Sequence, residues 1–132
     1  MKELIDDFLS APRFAVVGAS SDREKYGNKV FRCYLQHGHE VVPINPRGGL
    51  IEEHEARQSL RELDRPETFA ISVITPPAVT LKVLEEAHDL GIRRIWLQPG
   101  AESPAVATRA EELGLELIAG GPCLLVVLGF HA

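Results

Sequence analysis

The sequence predicts an α/β protein, a three-layer, Rossmann-like domain with a parallel sheet of about five strands. Short apolar segments alternate along the chain with segments of helical length, which is typical of repeated strand–helix units. Within the predicted strands apolar residues follow one another, as expected where helices cover both faces of a sheet. At 132 residues, the chain (1–132) is expected to form a single domain with its own core.

The first four elements are predicted to be two helices and two strands. Lys2–Leu9 has the apolar spacing of an amphipathic helix. The residues that share its apolar side are Leu4, Ile5, Phe8 and Leu9. The apolar run Phe14–Val17 is the first strand, and a helix follows over about Tyr26–His37, with Gly38 placed to end it. The second strand is Glu40–Ile44.

The middle of the chain contains one poorly patterned region and one clear strand–helix unit. Leu50–Pro66 is polar and predicts only a short helix near Ser59–Leu63. Phe69–Ile74 is the third strand. Two successive prolines after it cannot continue a strand but can begin a helix, which is predicted over Ala78–Leu90. The buried stripe of that helix is predicted to be Val79, Val83, Ala87 and Leu90.

The remaining elements repeat the same alternation. Arg94–Leu97 is the fourth strand, and Pro104–Leu113 is a helix that Gly114 ends. Leu115–Ile118 is the fifth strand. The last apolar segment, Cys123–Leu128, is predicted to be either a further strand or a short helix.

Right-handed crossovers would bring all strand carboxyl ends to one edge of the sheet, where ligands of open α/β sheets bind. The loops expected to meet there are Gly18–Lys25, Asn45–Gly49, Thr75–Pro77, Gln98–Gly100 and Gly120–Cys123. The stretch Phe14–Ser21 is typical of a nucleotide-phosphate cradle, because a strand ends at a glycine and a helix follows after a short loop. We therefore expect a nucleotide ligand at this edge.

The dinucleotide fingerprint of NAD-binding proteins is incomplete here. It requires three glycines as GxGxxG and an acid about 20 residues further on. Only Gly18 is in place, since Ser20 and Arg23 occupy the other glycine positions, and no acid follows the second strand. Arg47 stands there instead and could meet a ribose phosphate, either of NADP or of CoA. Arg23 and Lys25 could meet a pyrophosphate.

Six short motifs in register carry a resemblance to a known family. They are Val16–Ser21, Lys25–Asn28, Val42–Gly48, Val73–Pro77, Leu97–Gly100 and Gly121–Cys123. The chain resembles, from about residue 12 to residue 128, the standalone CoA-binding domain family, which is similar to the N-terminal CoA-binding domain of the succinyl-CoA synthetase alpha subunit. The resemblance implies coenzyme A or an acyl-CoA as the ligand.

The resemblance also implies roles for individual residues. Those expected to line the pyrophosphate are Gly18, Ala19, Ser20, Ser21, Lys25, Tyr26 and Gly27. Arg47 is expected near the CoA phosphates, and its neighbours Asn45 and Pro46 are also expected to bind the cofactor. The residues expected to border the adenine or the pantetheine arm are Thr75, Pro76 and Pro77, and those expected to form the far wall are Leu97, Gln98 and Pro99.

Two departures from the synthetase pattern argue against thioester synthesis by the synthetase route. The synthetase needs a second domain that carries a phosphorylated histidine, and we expect no such domain within residues 1–132. The loop after the second strand also has one basic residue where the synthetase typically has two.

No catalytic or metal-ligating constellation is predicted. The histidines do not cluster, and His37 and His39 are expected to face solvent at a helix end. Cys123 has two interpretations: a thiol at the ligand edge that meets the CoA thiol, or a small buried residue after a turn. Cys33 is expected to pack in the core.

Composition limits the partners and the location. A net charge of −5 argues against non-specific binding to nucleic acid or to an anionic membrane surface. Two cysteines without metal or CxxC spacing fit a reducing cytoplasm, and no signal peptide or membrane span is predicted. A homodimer or a protein partner is compatible with the sequence.

Three functions are compatible with the sequence. The first is a module that binds CoA or an acyl-CoA without chemistry of its own. The second is an enzyme or a subunit that acts on acyl-CoA with a partner chain. The third is an NADP-binding protein in which Arg47 meets the 2′-phosphate.

Overall fold

The computed structural model describes all residues from Met1 to Ala132. Its strands are Arg13–Val17 (β1), Val41–Ile44 (β2), Leu50–Ile51 (β3), His54–Glu55 (β4), Phe69–Val73 (β5), Arg94–Leu97 (β6) and Glu116–Ile118 (β7). Its α-helices are Lys2–Leu9 (α1), Tyr26–Gln36 (α2), Pro77–Asp89 (α3) and Pro104–Glu112 (α4). The bounds predicted for these helices and for the sheet strands agree with the structure to within one residue.

Five parallel strands form the main sheet in the order β2-β1-β5-β6-β7. Strand β2 is added at one edge of β1, whereas β5, β6 and β7 are added in turn at the other edge. The direction in which strands are added therefore reverses between β1 and β5. Val17, the last residue of β1, pairs with Ile44 of β2 and with Val73 of β5. The carboxyl ends of the central strands are therefore level, at the position where a crevice forms in doubly wound folds.

Two cores lie on opposite faces of the sheet. Phe14 and Val16 of β1 pack in the core on the side of α1 and α2. Ala15 and Val17 pack in the core on the side of α3 and α4. Because strand residues alternate between faces, both faces of the sheet are apolar and covered, and the predicted three-layer α/β fold is confirmed.

Two predicted helix faces need correction. On α1, Leu4 is exposed and Phe8 is the one fully buried residue, against the rings of Phe14 and Trp96. On α3, Val79 is exposed and Leu90 is half-buried. The buried residues of α3 are Thr80, Val83, Leu84 and Ala87. Thr80 can be buried because its hydroxyl is hydrogen-bonded to the Thr75 hydroxyl at 2.7 Å.

The region 50–66 contains an antiparallel hairpin that the sequence did not predict. Strands β3 and β4 pair there, and the expected helix near residues 59–63 is a 3₁₀ turn over Leu60–Glu62. The hairpin turn uses Glu52 and Glu53 in the left-handed region, with φ values of 47° and 69°. Glutamates are not the usual residues of such turns, so the sequence carried no turn signal here.

The last apolar segment is a π-helical turn, Leu125–Gly129, and not a sixth strand of the sheet. It packs on the same face as α2. No helix of the protein combines the length and the apolar character that crossing a bilayer requires.

Candidate functional site

Two glycines let the start of α2 pack directly on the end of β1. Gly18 follows β1 with a φ of 94°, and a Cβ there would lie 2.0 Å from the carbonyl oxygen of Ile74. A Cβ on Gly27 would lie 2.0 Å from the carbonyl oxygen of Gly18. Side chains at these positions would force the backbone apart, so the close approach of strand, loop and helix depends on both glycines.

The amino terminus of α2 carries unpaired backbone donors. The N–H groups of Tyr26 and Gly27 donate no hydrogen bond within the chain, and no side chain caps the helix. The helix is 11 residues long, and its dipole adds positive potential at this end. This end of α2 can therefore accept an anion, and phosphate is the usual one.

Two asparagines hold the loops around this helix end. The fully buried Asn28 donates from Nδ2 to the Ser20 carbonyl at 2.9 Å and to Glu52 at 3.1 Å. Asn45 donates from Nδ2 to the Ala19 carbonyl at 2.8 Å, and its Oδ1 accepts from the Arg47 N–H at 2.8 Å. Asn28 was in a motif but was not among the predicted site residues. The sequence feature that could have indicated its role is its polar side chain on the otherwise apolar side of α2.

A cavity of about 760 Å³ opens at the carboxyl ends of β1 and β2. The predicted site residues that line it are Gly18, Ala19, Ser20, Ser21, Lys25, Tyr26, Gly27, Asn45 and Arg47. The lining residues that were not predicted are Gly48, Gly49, Leu50, Ile51 and Ile74. The structure thus brings the first two loops together with the unpredicted hairpin.

The other predicted site residues do not line this cavity. Pro46 is exposed in the turn beside Arg47. In the third loop Thr75 bonds to Thr80 at the start of α3, Pro76 is exposed, and Pro77 begins the helix. In the fourth loop, Pro99 is exposed. Leu97 is 2% exposed and packs in the core under α3 and α4, so its side chain is not a wall of the cavity.

Gln98 is fully buried beside the cavity, behind Tyr26. Its Oε1 accepts hydrogen bonds from the Leu124 N–H at 3.0 Å and from the Tyr26 hydroxyl at 3.4 Å. Its Nε2 has no partner within the chain. An unpaired buried donor costs about 1–3 kcal/mol. A ligand with a carbonyl oxygen at this point would recover that free energy.

Tyr26 links the cavity to the cysteines. Burial raises the pKa of its hydroxyl above the ordinary value, and the nearby Cys123 thiol raises this pKa further. Cys123 is half-buried, and Cys33 is fully buried as expected. Burial raises the pKa of the Cys33 thiol to about 11, so Cys33 is unreactive at neutral pH.

The cations near the cavity differ in their availability. Arg23 forms an ion pair with Glu52 at 3.6 Å and does not line the cavity. Lys25 and Arg47 line it, and neither has a carboxylate within 4.0 Å. Two of the three basic residues considered from the sequence are thus free to meet an anion.

A groove of about 600 Å³ between α3 and α4 is a weaker candidate. Its one arginine, Arg109, is bound by Glu85 at 2.6 and 2.8 Å and by Glu112 at 3.2 Å. These contacts raise the pKa of Arg109 and lower that of Glu85. Lys82 also lines the groove and forms no ion pair, so the groove offers one free cation, against two in the cavity at the sheet edge.

The histidines lie away from the cavity. His37 is exposed, and its Nε2 is 2.8 Å from the Gly129 carbonyl. His39 does not face solvent as predicted, since its half-buried ring packs edge-on against Phe14 at 5.0 Å. Burial lowers the pKa of His39 for that reason. No group of three metal-ligating side chains is close enough to hold an ion.

Comparison with solved structures finds relatives that match most of the chain. A conserved hypothetical protein from Pyrococcus furiosus is 38% identical with a TM-score of 0.81, over 87% of this chain and 97% of that one. A protein from Thermus thermophilus is 31% identical with a TM-score of 0.82, over 95% of this chain and 93% of that one.

A curated relative has a stated activity. The alpha subunit of ADP-forming acetate–CoA ligase II from Pyrococcus furiosus is 24% identical over 140 residues. The alignment covers 98% of this chain but 30% of the ligase subunit. The chain therefore spans less than a third of that relative's length.

A family model described as the CoA binding domain matches residues 12–129. The match begins at the residue before β1 and ends with the last turn, so it includes every strand of the main sheet and all the loops of the cavity. By this match, the protein belongs to the CoA-binding domain family.

Proposed function

We propose that this protein binds coenzyme A or an acyl-CoA in the cavity at the carboxyl edge of the sheet, without catalysing a reaction of its own. The observation that carries the proposal is the convergence of unpaired positive groups. The free N–H groups of α2, the Lys25 ammonium and the Arg47 guanidinium all meet one cavity. Membership of the CoA-binding domain family supports the phosphates of CoA as the anion.

The proposed ligand lies along three groups of residues. The pyrophosphate binds between the loop Gly18–Ser21 and the start of α2. Arg47, which can make two parallel hydrogen bonds, binds the 3′-phosphate. The pantetheine arm runs past Tyr26 toward Gln98; on binding, the Tyr26 side chain moves aside, and the fully buried, unpaired Nε2 of Gln98 then donates to a carbonyl oxygen of the arm. Cys123 then lies near the thiol end.

The side chains around the cavity support the proposal of a binding role without chemistry. The lining residues include no histidine, aspartate, glutamate or cysteine. A nucleophile paired with a histidine or carboxylate base is therefore missing from the lining. Sequestering, presenting or sensing CoA requires none of these groups.

A second candidate is a subunit role in an acyl-CoA enzyme. The relative with a stated activity is a subunit of an acetate–CoA ligase, and the chain matches 30% of its length. In this case a partner chain supplies the reacting groups. Turnover of acetyl-CoA by the isolated chain would contradict the binding role, and turnover only after a partner is added would favour the subunit role.

The proposal is tested by calorimetric titration of the reduced protein with CoA, dephospho-CoA and NADPH. We expect CoA to bind and dephospho-CoA to bind about tenfold more weakly, because it lacks the phosphate that Arg47 meets. Arg47→Ala should weaken CoA binding by a similar factor and remove the difference between the two ligands.

The matched control is Arg93→Ala, which also removes one positive charge but lies at the amino edge of the sheet. It should leave CoA binding unchanged. Tighter binding of NADPH than of CoA would favour the NADP alternative, and binding of none of the three ligands would refute the proposal. A cytoplasmic location stays a prediction.

A further inference from the structure

The β3–β4 hairpin presents an exposed apolar side chain to the cavity. Leu50, the first residue of β3, is 68% exposed, whereas its neighbour Ile51 is 2% exposed. The large exposed hydrophobic residues are Met1, Leu4, Leu50, Val79, Val126 and Val127. Of these, Leu50 alone lines the cavity. Its exposure is thus located at the site where a ligand is expected.

The hairpin that carries Leu50 is held firmly in place. The Ala56 N–H donates to the Gly49 carbonyl at 2.8 Å, and the Asn45 N–H donates to the Arg57 carbonyl at 2.8 Å. At the turn, Glu52 accepts a hydrogen bond from the buried Asn28. These contacts join the hairpin to β2 and to α2. The position of Leu50 is therefore part of the folded structure.

The segment between Arg47 and Leu50 leaves the cavity floor open. Gly48 and Gly49 both have positive φ, and a Cβ on Gly49 would meet no atom within 4 Å. A Cβ on Gly48 would touch only the Gln58 side chain, at 3.7 Å, so a flat group can lie over Gly49 without a steric clash. It would have the Arg47 cation at one end and the Leu50 side chain at the other.

The covalent structure of CoA fits this arrangement of Arg47 and Leu50. In CoA, the 3′-phosphate and the adenine base are attached to the same ribose ring, so a base must lie close to the phosphate that Arg47 meets. The face of a purine is apolar and gains free energy when it covers an aliphatic side chain. The loop Thr75–Pro77, which the resemblance placed near the adenine or the arm, does not line this cavity.

We propose that Leu50 is the platform for the adenine ring, and that the β3–β4 hairpin selects ligands with a purine base. This inference rests on the proposed function and adds the recognition of the base to it. Arg47 and Leu50 together then bind the adenosine half of the ligand. Gln98 and Tyr26 contact the other half.

The test compares two variants of Leu50 against three probes: CoA, adenosine 3′,5′-bisphosphate and 4′-phosphopantetheine. Leu50→Ser should weaken CoA and adenosine 3′,5′-bisphosphate by the same factor, about five- to tenfold. It should leave 4′-phosphopantetheine, which has no base, unchanged. Leu50→Tyr should tighten the first two probes, because an aromatic ring stacks better on a base and tyrosine is favoured in strands.

The control variant is Val79→Ser, an exposed apolar residue of α3 that is outside the cavity, and it should change no affinity. CoA binding that Arg47→Ala weakens and Leu50→Ser leaves within twofold would overturn the platform and keep the proposed function. No CoA binding by the wild-type protein would overturn both. A gain of affinity in Leu50→Tyr cannot come from misfolding, so it would support the platform by itself.

Discussion

Replacing Gly27 by alanine tests whether the cradle depends on direct contact between backbones. Gly27 lies in the first turn of α2 and has no positive φ. In an exposed helix, glycine to alanine would stabilise the protein by about 1 kcal/mol, because alanine loses less conformational entropy. Helix propensity alone therefore predicts a more stable Gly27→Ala variant.

The contacts of Gly27 predict the opposite sign. The added Cβ would lie 2.0 Å from the Gly18 carbonyl oxygen and 3.3 Å from the Ala19 Cα. Both are backbone atoms that cannot turn away, so α2 or the loop must shift by about 1 Å or more. Overpacking of this kind costs about 1–3 kcal/mol, and the shift also moves the helix amino terminus away from the proposed phosphate site.

Urea denaturation and CoA titration of the same variant provide the measurement. We expect the free energy of unfolding to fall by about 1–3 kcal/mol and CoA affinity to fall by at least tenfold. The control is Gly121→Ala, whose Cβ would meet first the flexible end of the Met1 side chain at 3.1 Å. A Gly27→Ala variant as stable as the wild type, or more stable, would refute the reasoning.

Two further predictions concern buried polar groups. Gln98→Met should weaken CoA about tenfold and leave adenosine 3′,5′-bisphosphate unchanged, because in the proposed binding mode only the pantetheine arm reaches the Nε2 donor; equal losses for both ligands in calorimetry would contradict this. The folded state holds the pKa of Cys33 at about 11, above its ordinary value of 9.0, so the folded protein retains the proton longer than the unfolded chain. Stability should therefore be intact below pH 9 and fall between pH 9 and 11. Cys33→Ala should show a smaller fall in urea denaturation, and an identical fall in both proteins would count against the assignment.

Local pattern was sufficient to predict the sheet and the close approach of strand, loop and helix at Gly18. The apolar runs of β1 and β5 and the glycine at position 18 act through neighbouring residues, and parallel topology then forces the loops to one edge. For the same reason, most of the first loop and Arg47 were predicted and do line one cavity. The family was also readable from six motifs, and the family model confirms it.

Charge pairing could not be read from the sequence. Arg23 and Arg47 look equivalent as loop cations, but Arg23 is paired with Glu52, which stands 29 positions further along the chain. The pairing requires the β3–β4 hairpin, and the turn of that hairpin uses glutamates in the left-handed region, where sequence rules expect glycine or asparagine. A prediction that missed the hairpin therefore also missed which cations are free.

The sequence by itself determined the order of strands and helices, the glycines of the cradle and the family, because each depends on short segments with strong local preferences. Only the tertiary structure decided that Leu50 faces the cavity, that Val79 is exposed and that the Gln98 amide nitrogen is left unpaired. Each of these depends on atoms brought together from distant parts of the chain. Burial and hydrogen-bond satisfaction are properties of that packing, and no local pattern carries them.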